Sequence, residues 1–122
     1  MGFERFEDIE AWQLARALTV TVYQLVRRDA IARDWALRDQ MIRASSSVMH
    51  NIAEGFDGGS NAEFIRFLGY AYRSCTEVQS QLYIALDQNY MNQNEFNAVY
   101  EHAATTRGKV GALIKYLRNS GR

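Results

Sequence analysis

The chain has 122 residues, of which 48% are hydrophobic and 12% aromatic, with eight glycines, no proline and fourteen basic side chains against fourteen acidic ones. That composition excludes a disordered chain and supports one domain, residues 1–122, burying roughly two thirds of its unfolded surface. Balanced charge excludes a strong overall field toward nucleic acid or an anionic membrane, although the basic set is twelve arginines to two lysines, a bias suited to bidentate carboxylate or phosphate contacts.

The opening residues Met1 to Asp8 lack the basic-then-apolar layout of a secretory leader, and Phe6 stands where a myristoylation signal wants Ser or Thr. No run approaches the ~18 apolar residues of a membrane span, so a cytoplasmic chain is expected. The first predicted helix runs from about Ile9 to Arg28, with Ala11, Ala15, Leu18, Val22 and Leu25 in one stripe. Trp12, Thr19, Tyr23 and Val26 make that face wider than one seam requires. A polar link, Asp29 to Asp34, leads to a second helix with Leu37, Met41, Ala44, Val48 and Ile52 inward. Gly55 followed by Phe56 predicts a left-handed glycine cap ending it. Asp57-Gly58-Gly59 is then a turn, and Ser60 with Glu63 a capping box opening the third helix. Its stripe runs from Phe64 through Leu68, Ala71, Cys75, Val78 and Leu82 to Leu86, which places Cys75 as a buried core thiol. Asn92 and Glu95 cap the fourth helix, whose stripe is Phe96, Val99, Ala103, Thr106, Val110, Leu113 and Leu117. Four helices with short connections predict an all-α, antiparallel up-down-up-down four-helix bundle.

The second helix carries a polar stripe, Gln40, Ser47, Asn51 and Glu54, beside its apolar one, and Ser and Asn are mediocre helix-interior residues. On the third helix Glu63, Tyr70, Ser74, Glu77 and Gln81 repeat the pattern. In an antiparallel pair, paired positions sum to roughly 115 to 120, which sets Arg43 level with Arg73 to Glu77 and predicts an Arg43–Glu77 ion pair. Two readings stand: a buried or interfacial network of Gln40, Arg43, Ser47, Asn51, Glu54, Ser74 and Glu77, or solvated flanks.

The run Gln40-Met41-Ile42-Arg43-Ala44, continuing through Ser47, Val48, Asn51, Ile52, Ala53, Glu54 and Gly55, resembles the signature of the bacterial 23S rRNA intervening-sequence protein family. Glu63-Phe64-Ile65-Arg66-Phe67-Leu68 with Ala71, Ser74, Glu77 and Leu82 is similar to that family's third helix, and Trp12-Gln13 to its first. Arg73 departs from a common Gly before the Ser, and the link before Trp35 lacks a usual proline. The resemblance implies a homo-oligomer, a pentameric ring. It also implies association with RNA or a nucleic-acid-processing protein, since relatives are encoded in inserts of large-subunit rRNA genes and a similar bundle assists retroelement reverse transcriptases.

Catalytic chemistry has no candidate constellation. Neither His50 nor His102 has a Glu three residues before it, as a di-metal bundle needs, and there is no Cys-x-x-Cys pair or Gly-x-Ser-x-Gly turn. Glu54 and Glu77 as a catalytic carboxylate pair is a weaker reading than structural ion pairing. No enzyme activity, cofactor, metal, membrane or small-molecule substrate is therefore expected. From Thr105 to Arg122 the chain carries Arg107, Lys109, Lys115, Arg118 and Arg122 with no acid. Arg107, Gly111, Lys115 and Arg118 share one flank, where the small residue leaves the backbone accessible. Cations that suit a helix C-terminus are one reading, and a phosphate-facing patch is the other. The functional expectation is a non-enzymatic oligomer associated with nucleic acid, and the alternative is a protein-binding scaffold or adaptor without such contact.

Overall fold

A computed structural model describes residues 2–120, and among these residues every regular element is helical. A short 3-10 turn, Phe6–Asp8, precedes α1 (Glu10–Val26), α2 (Asp29–Arg33), α3 (Trp35–Asp57), α4 (Asn61–Asp87) and α5 (Gln93–Asn119). The expected polar link from Asp29 to Asp34 is therefore largely a short helix. Ile31 of α2 is fully buried and closes one end of the core against Val26, Leu37 and Met91. One large apolar side chain between two alanines in a six-residue stretch carries no periodicity, and only the space above the bundle assigns it. Asp34 then caps α3 by accepting from the Leu37 N–H at 3.2 Å, while its other oxygen accepts from the Tyr90 hydroxyl at 3.0 Å.

The four long helices pack in the cyclic order α1, α3, α4, α5. Ser74 of α4 reaches Ser47 of α3, and seven residues further along α4 Gln81 reaches Gln40, seven residues earlier on α3. The core has two halves. Leu18, Val22, Met41, Val78, Leu82 and Phe96 fill the end beneath α2, and Trp12, Val48, Ile52, Phe64, Leu68 and Leu117 fill the other. Burying each of these large side chains contributes about 1.5–3 kcal/mol.

The α3–α4 junction corrects the expected glycine cap. Helix α3 continues through Gly55 to Asp57, and Gly59, at φ +85°, takes the left-handed conformation instead. A Cβ on Gly55 would lie 2.7 Å from the Cβ of Phe67. Gly55 is thus a point of close approach between α3 and α4. Ser60 accepts from the Glu63 N–H as predicted, but the Glu63 carboxylate turns to Arg66, 2.7 Å away, and leaves the box half made. The Asn92–Glu95 box is reciprocal, at 2.8 and 3.0 Å.

Candidate functional site

Two sets of polar groups lie within the bundle. The first forms a waist between the core halves. Thr19 donates to the carbonyls of Ala15 and Ser45, Thr106 to that of His102, and the His102 Nε2–H to that of Leu14. Ser45 and Thr106 are fully buried, and each hydroxyl finds a helix carbonyl. This set is complete in itself.

The second set lies in the α3–α4 seam. Asn51 Nδ2 donates to the Ser47 carbonyl and hydroxyl at 2.8 and 2.9 Å, and Ser74 Oγ donates to Ser47 Oγ at 3.0 Å. Ser47 thus joins the two helices. Beside it a cavity of about 440 Å³ opens to solvent, lined by Gln40, Arg43, Ala44, Ser47, Glu77 and Gln81. No ion pair joins Arg43 to Glu77: both side chains are exposed and border the cavity, Arg43 from α3 and Glu77 from α4. The predicted register is right to within one residue, but the cavity separates the two charges. Of the seven residues placed in the network, Gln40, Arg43, Ser47 and Glu77 line the cavity, and Asn51 and Ser74 buttress it through Ser47. Glu54 is exposed and outside the lining, so no Glu54–Glu77 carboxylate pair forms in this cavity.

Gln81 is the residue that makes this cavity unusual. It is nine-tenths buried, its Nε2 donates to the Gln40 carbonyl at 3.2 Å, and its Oε1 is buried with no hydrogen-bond partner. The carbonyl of Gln40 determines the amide orientation, since the opposite one would set oxygen against oxygen. A buried acceptor left open costs about 1–3 kcal/mol. The sequence places Gln81 on the same flank as Ser74 and Glu77, at 7 and 4 residues, but spacing alone does not distinguish a satisfied amide from an open one.

The basic run on α5 is dispersed. The Arg107 guanidinium lies 4.2 Å from the Tyr72 ring centroid and donates to Thr76 Oγ1, so it packs α5 on α4. Lys109 pairs with Glu10 of α1 at 3.3 Å. Lys115 and Arg118 are exposed, and Arg122 lies outside the described residues. Gly111 does not serve backbone access: a Cβ there would meet the Tyr72 ring at 3.3 Å, so its smallness seats that ring.

Elsewhere burial pushes the Cys75 thiol up to about 12, against the weaker opposing pull of Arg107. Arg28, with the Asn92 backbone N–H, holds the Glu95 carboxyl down to about 2. Among the described residues no three His, Cys, Asp or Glu side chains cluster to hold a metal ion, and no helix is long and apolar enough to cross a membrane.

Residues 7–112 match the family profile described as 23S rRNA-intervening sequence protein. Among solved structures, the chain is similar to the crystal structure of a protein with unknown function from the S23 ribosomal protein family of Bacteroides thetaiotaomicron. The TM-score is 0.78 at 18% identity, over 86% of this chain and 98% of that one, a likeness that shows a common fold. No curated protein matches the chain.

Proposed function

From the membership of this chain in the 23S rRNA-intervening sequence protein family, we propose that it is a non-enzymatic, self-assembling scaffold that works in the cytoplasm as a single antiparallel up-down-up-down bundle, repeated in a homo-oligomeric ring of five. The observation that carries this reading is the outer face of α1. Arg16, Val20 and Tyr23 of α1 and Arg27, the residue directly after it, follow at 4-3-4 spacing, the period of a helix-packing seam, on the side turned away from the core. Val20 is 52% and Tyr23 39% exposed, and with Thr19, Gln24 and Arg27 they line a shallow groove. A helix inside a lone bundle needs one apolar stripe, and α1 adds exposed Val20 and Tyr23, flanked by two arginines, outside it.

A second reading, contact with RNA, rests on exposed Lys115 and Arg118, which a ring would repeat around its circumference. The neutral total charge and the engagement of Arg107 and Lys109 within the bundle favour the scaffold. Native mass spectra of protein purified without nuclease, at low and moderate salt, test both. A discrete multimer free of added mass supports the scaffold, and a multimer that sheds nucleic acid as salt rises supports the RNA reading. A 14.0 kDa monomer at both salts overturns self-assembly.

A further inference from the structure

We propose that the α3–α4 cavity is a binding site for a small zwitterion, a free amino acid whose carboxylate meets Arg43 and Ser47 of α3 and whose ammonium meets Glu77 of α4. The proposal goes beyond the scaffold reading and does not depend on it. At about 440 Å³ and open to solvent, the cavity falls within the range of about 300–1,000 Å³ typical of small-molecule sites. Its two walls differ in chemistry. Arg43 and Ser47 are four residues apart on α3, so they lie one above the other on the face that lines the cavity. Both are donors. Ser47 Oγ accepts from Asn51 and from Ser74, which leaves its own proton without an acceptor among the described residues. The α4 wall brings the Glu77 carboxylate, which only accepts at neutral pH.

Among the described residues neither Arg43 nor Glu77 has an ion pair, although they border the same cavity from facing helices. That arrangement selects by charge. An anion drawn to Arg43 faces the Glu77 carboxylate across the cavity, and a cation drawn to Glu77 faces the guanidinium, so a ligand of one charge is attracted by one wall and repelled by the other. A zwitterion is attracted by both. The guanidinium and the Ser47 hydroxyl offer its carboxylate charge-assisted hydrogen bonds, and Glu77 offers one to its ammonium. Gln81 Oε1 is closed to solvent and touches no ligand, but its unpaired carbonyl dipole, one helical turn from Glu77, adds negative potential that favours the ammonium there. Ala44 is the one apolar member of the lining, so the cavity has no seat for a large apolar side chain and suits small or polar amino acids.

The experiment follows the backbone amide signals of the nitrogen-15-labelled protein by NMR as glycine, L-serine or L-glutamine is added at constant ionic strength. Saturable shifts are expected around residues 40–47 and 77–81, with half-saturation on the order of 1 mM. N-acetyl-L-serine keeps only the negative charge and L-serinamide only the positive one, and each is expected to bind about tenfold more weakly than L-serine. Arg43→Gln and Glu77→Gln, both at exposed positions, are expected to keep their helical content by far-ultraviolet circular dichroism and to weaken L-serine about tenfold. Glu77→Gln is further expected to lose the preference for L-serine over its N-acetyl form, and Arg43→Gln the preference over serinamide, which a merely structural role would not produce. No saturable shift with any of the three amino acids, capped forms that bind as well as L-serine, or binding unchanged in both variants overturns the proposal. An Arg43 side-chain N–H signal that moves in Glu77→Gln without ligand also overturns it, because the two charges would then already be joined across the cavity.

Discussion

The waist of the bundle and the α3–α4 seam are both built from Ser, Thr and amide side chains on helices, yet they end in opposite states. At the waist each hydroxyl returns to a helix carbonyl, and His102 spans from α5 to α1, so nothing is left open. In the seam, Ser47 gathers Asn51 and Ser74, but two turns away Gln81 has an acceptor with no donor and two opposite charges border a cavity without meeting. A polar set that closes on itself holds helices in register, whereas one that ends in an open acceptor leaves binding energy for something outside the fold.

Four substitutions would break or sharpen this contrast, and a titration with a fifth substitution probes a pair outside it. The largest effect is expected at the close approach of Gly55 to Phe67. Gly55→Val places branched carbon into the 2.7 Å approach to Phe67 and should cost about 3 kcal/mol in urea unfolding. A loss under about 1 kcal/mol would mean that Phe67 yields and that Gly55 does not set the helix spacing. Ser47→Ala removes the acceptor of buried Ser74 and one of the two acceptors of Asn51 Nδ2, whose bond to the Ser47 carbonyl remains, and should cost about 1–2 kcal/mol. The corresponding change at the waist, Thr106→Val, removes a hydroxyl whose acceptor lies on the same helix, and should stay within about 1 kcal/mol. Equal losses at the two positions would erase the distinction. Gln81→Leu should leave the isolated chain unchanged or up to about 1 kcal/mol more stable, because it deletes an unsatisfied acceptor. A clear destabilisation would show that the acceptor is satisfied within the fold.

The smallest effect lies away from both regions, at the Arg28–Glu95 pair. The Glu95 carboxyl is depressed to about 2 from an ordinary 4.5, so its contribution to stability is fully present above 4.5 and is lost as pH falls through about 2. Side-chain carbon chemical shifts followed by NMR should locate that low midpoint, and Arg28→Ala should raise it toward the ordinary value. An unchanged midpoint in the variant would remove Arg28 as the cause.

Much of the site was legible, unequally by kind. Gln40, Arg43, Ser47 and Glu77 could be placed on facing flanks because helical period and a short connection leave little freedom in register. Whether Arg43 and Glu77 touch could not be read in the same way, since an ion pair depends on side-chain reach and on the width of the seam. The basic flank of α5 failed for a related reason. Arg107 and Lys109 look alike as letters, but Tyr72 and Thr76 of α4 claim the first and Glu10 of α1 the second, leaving Lys115 and Arg118 outward.

The amino-acid sequence by itself determined four long helices, their inward stripes, the Asn92–Glu95 cap, the buried Cys75 and the flank on which the polar residues lie, because each follows from period and local hydrogen bonding. Only the tertiary structure decided that Ile31 closes the core, that Gly55 marks a close approach, that Gly111 seats Tyr72, and that the Gln81 acceptor is open. Those outcomes depend on which atoms of other helices arrive within a few ångströms, a distance that no spacing along one helix contains.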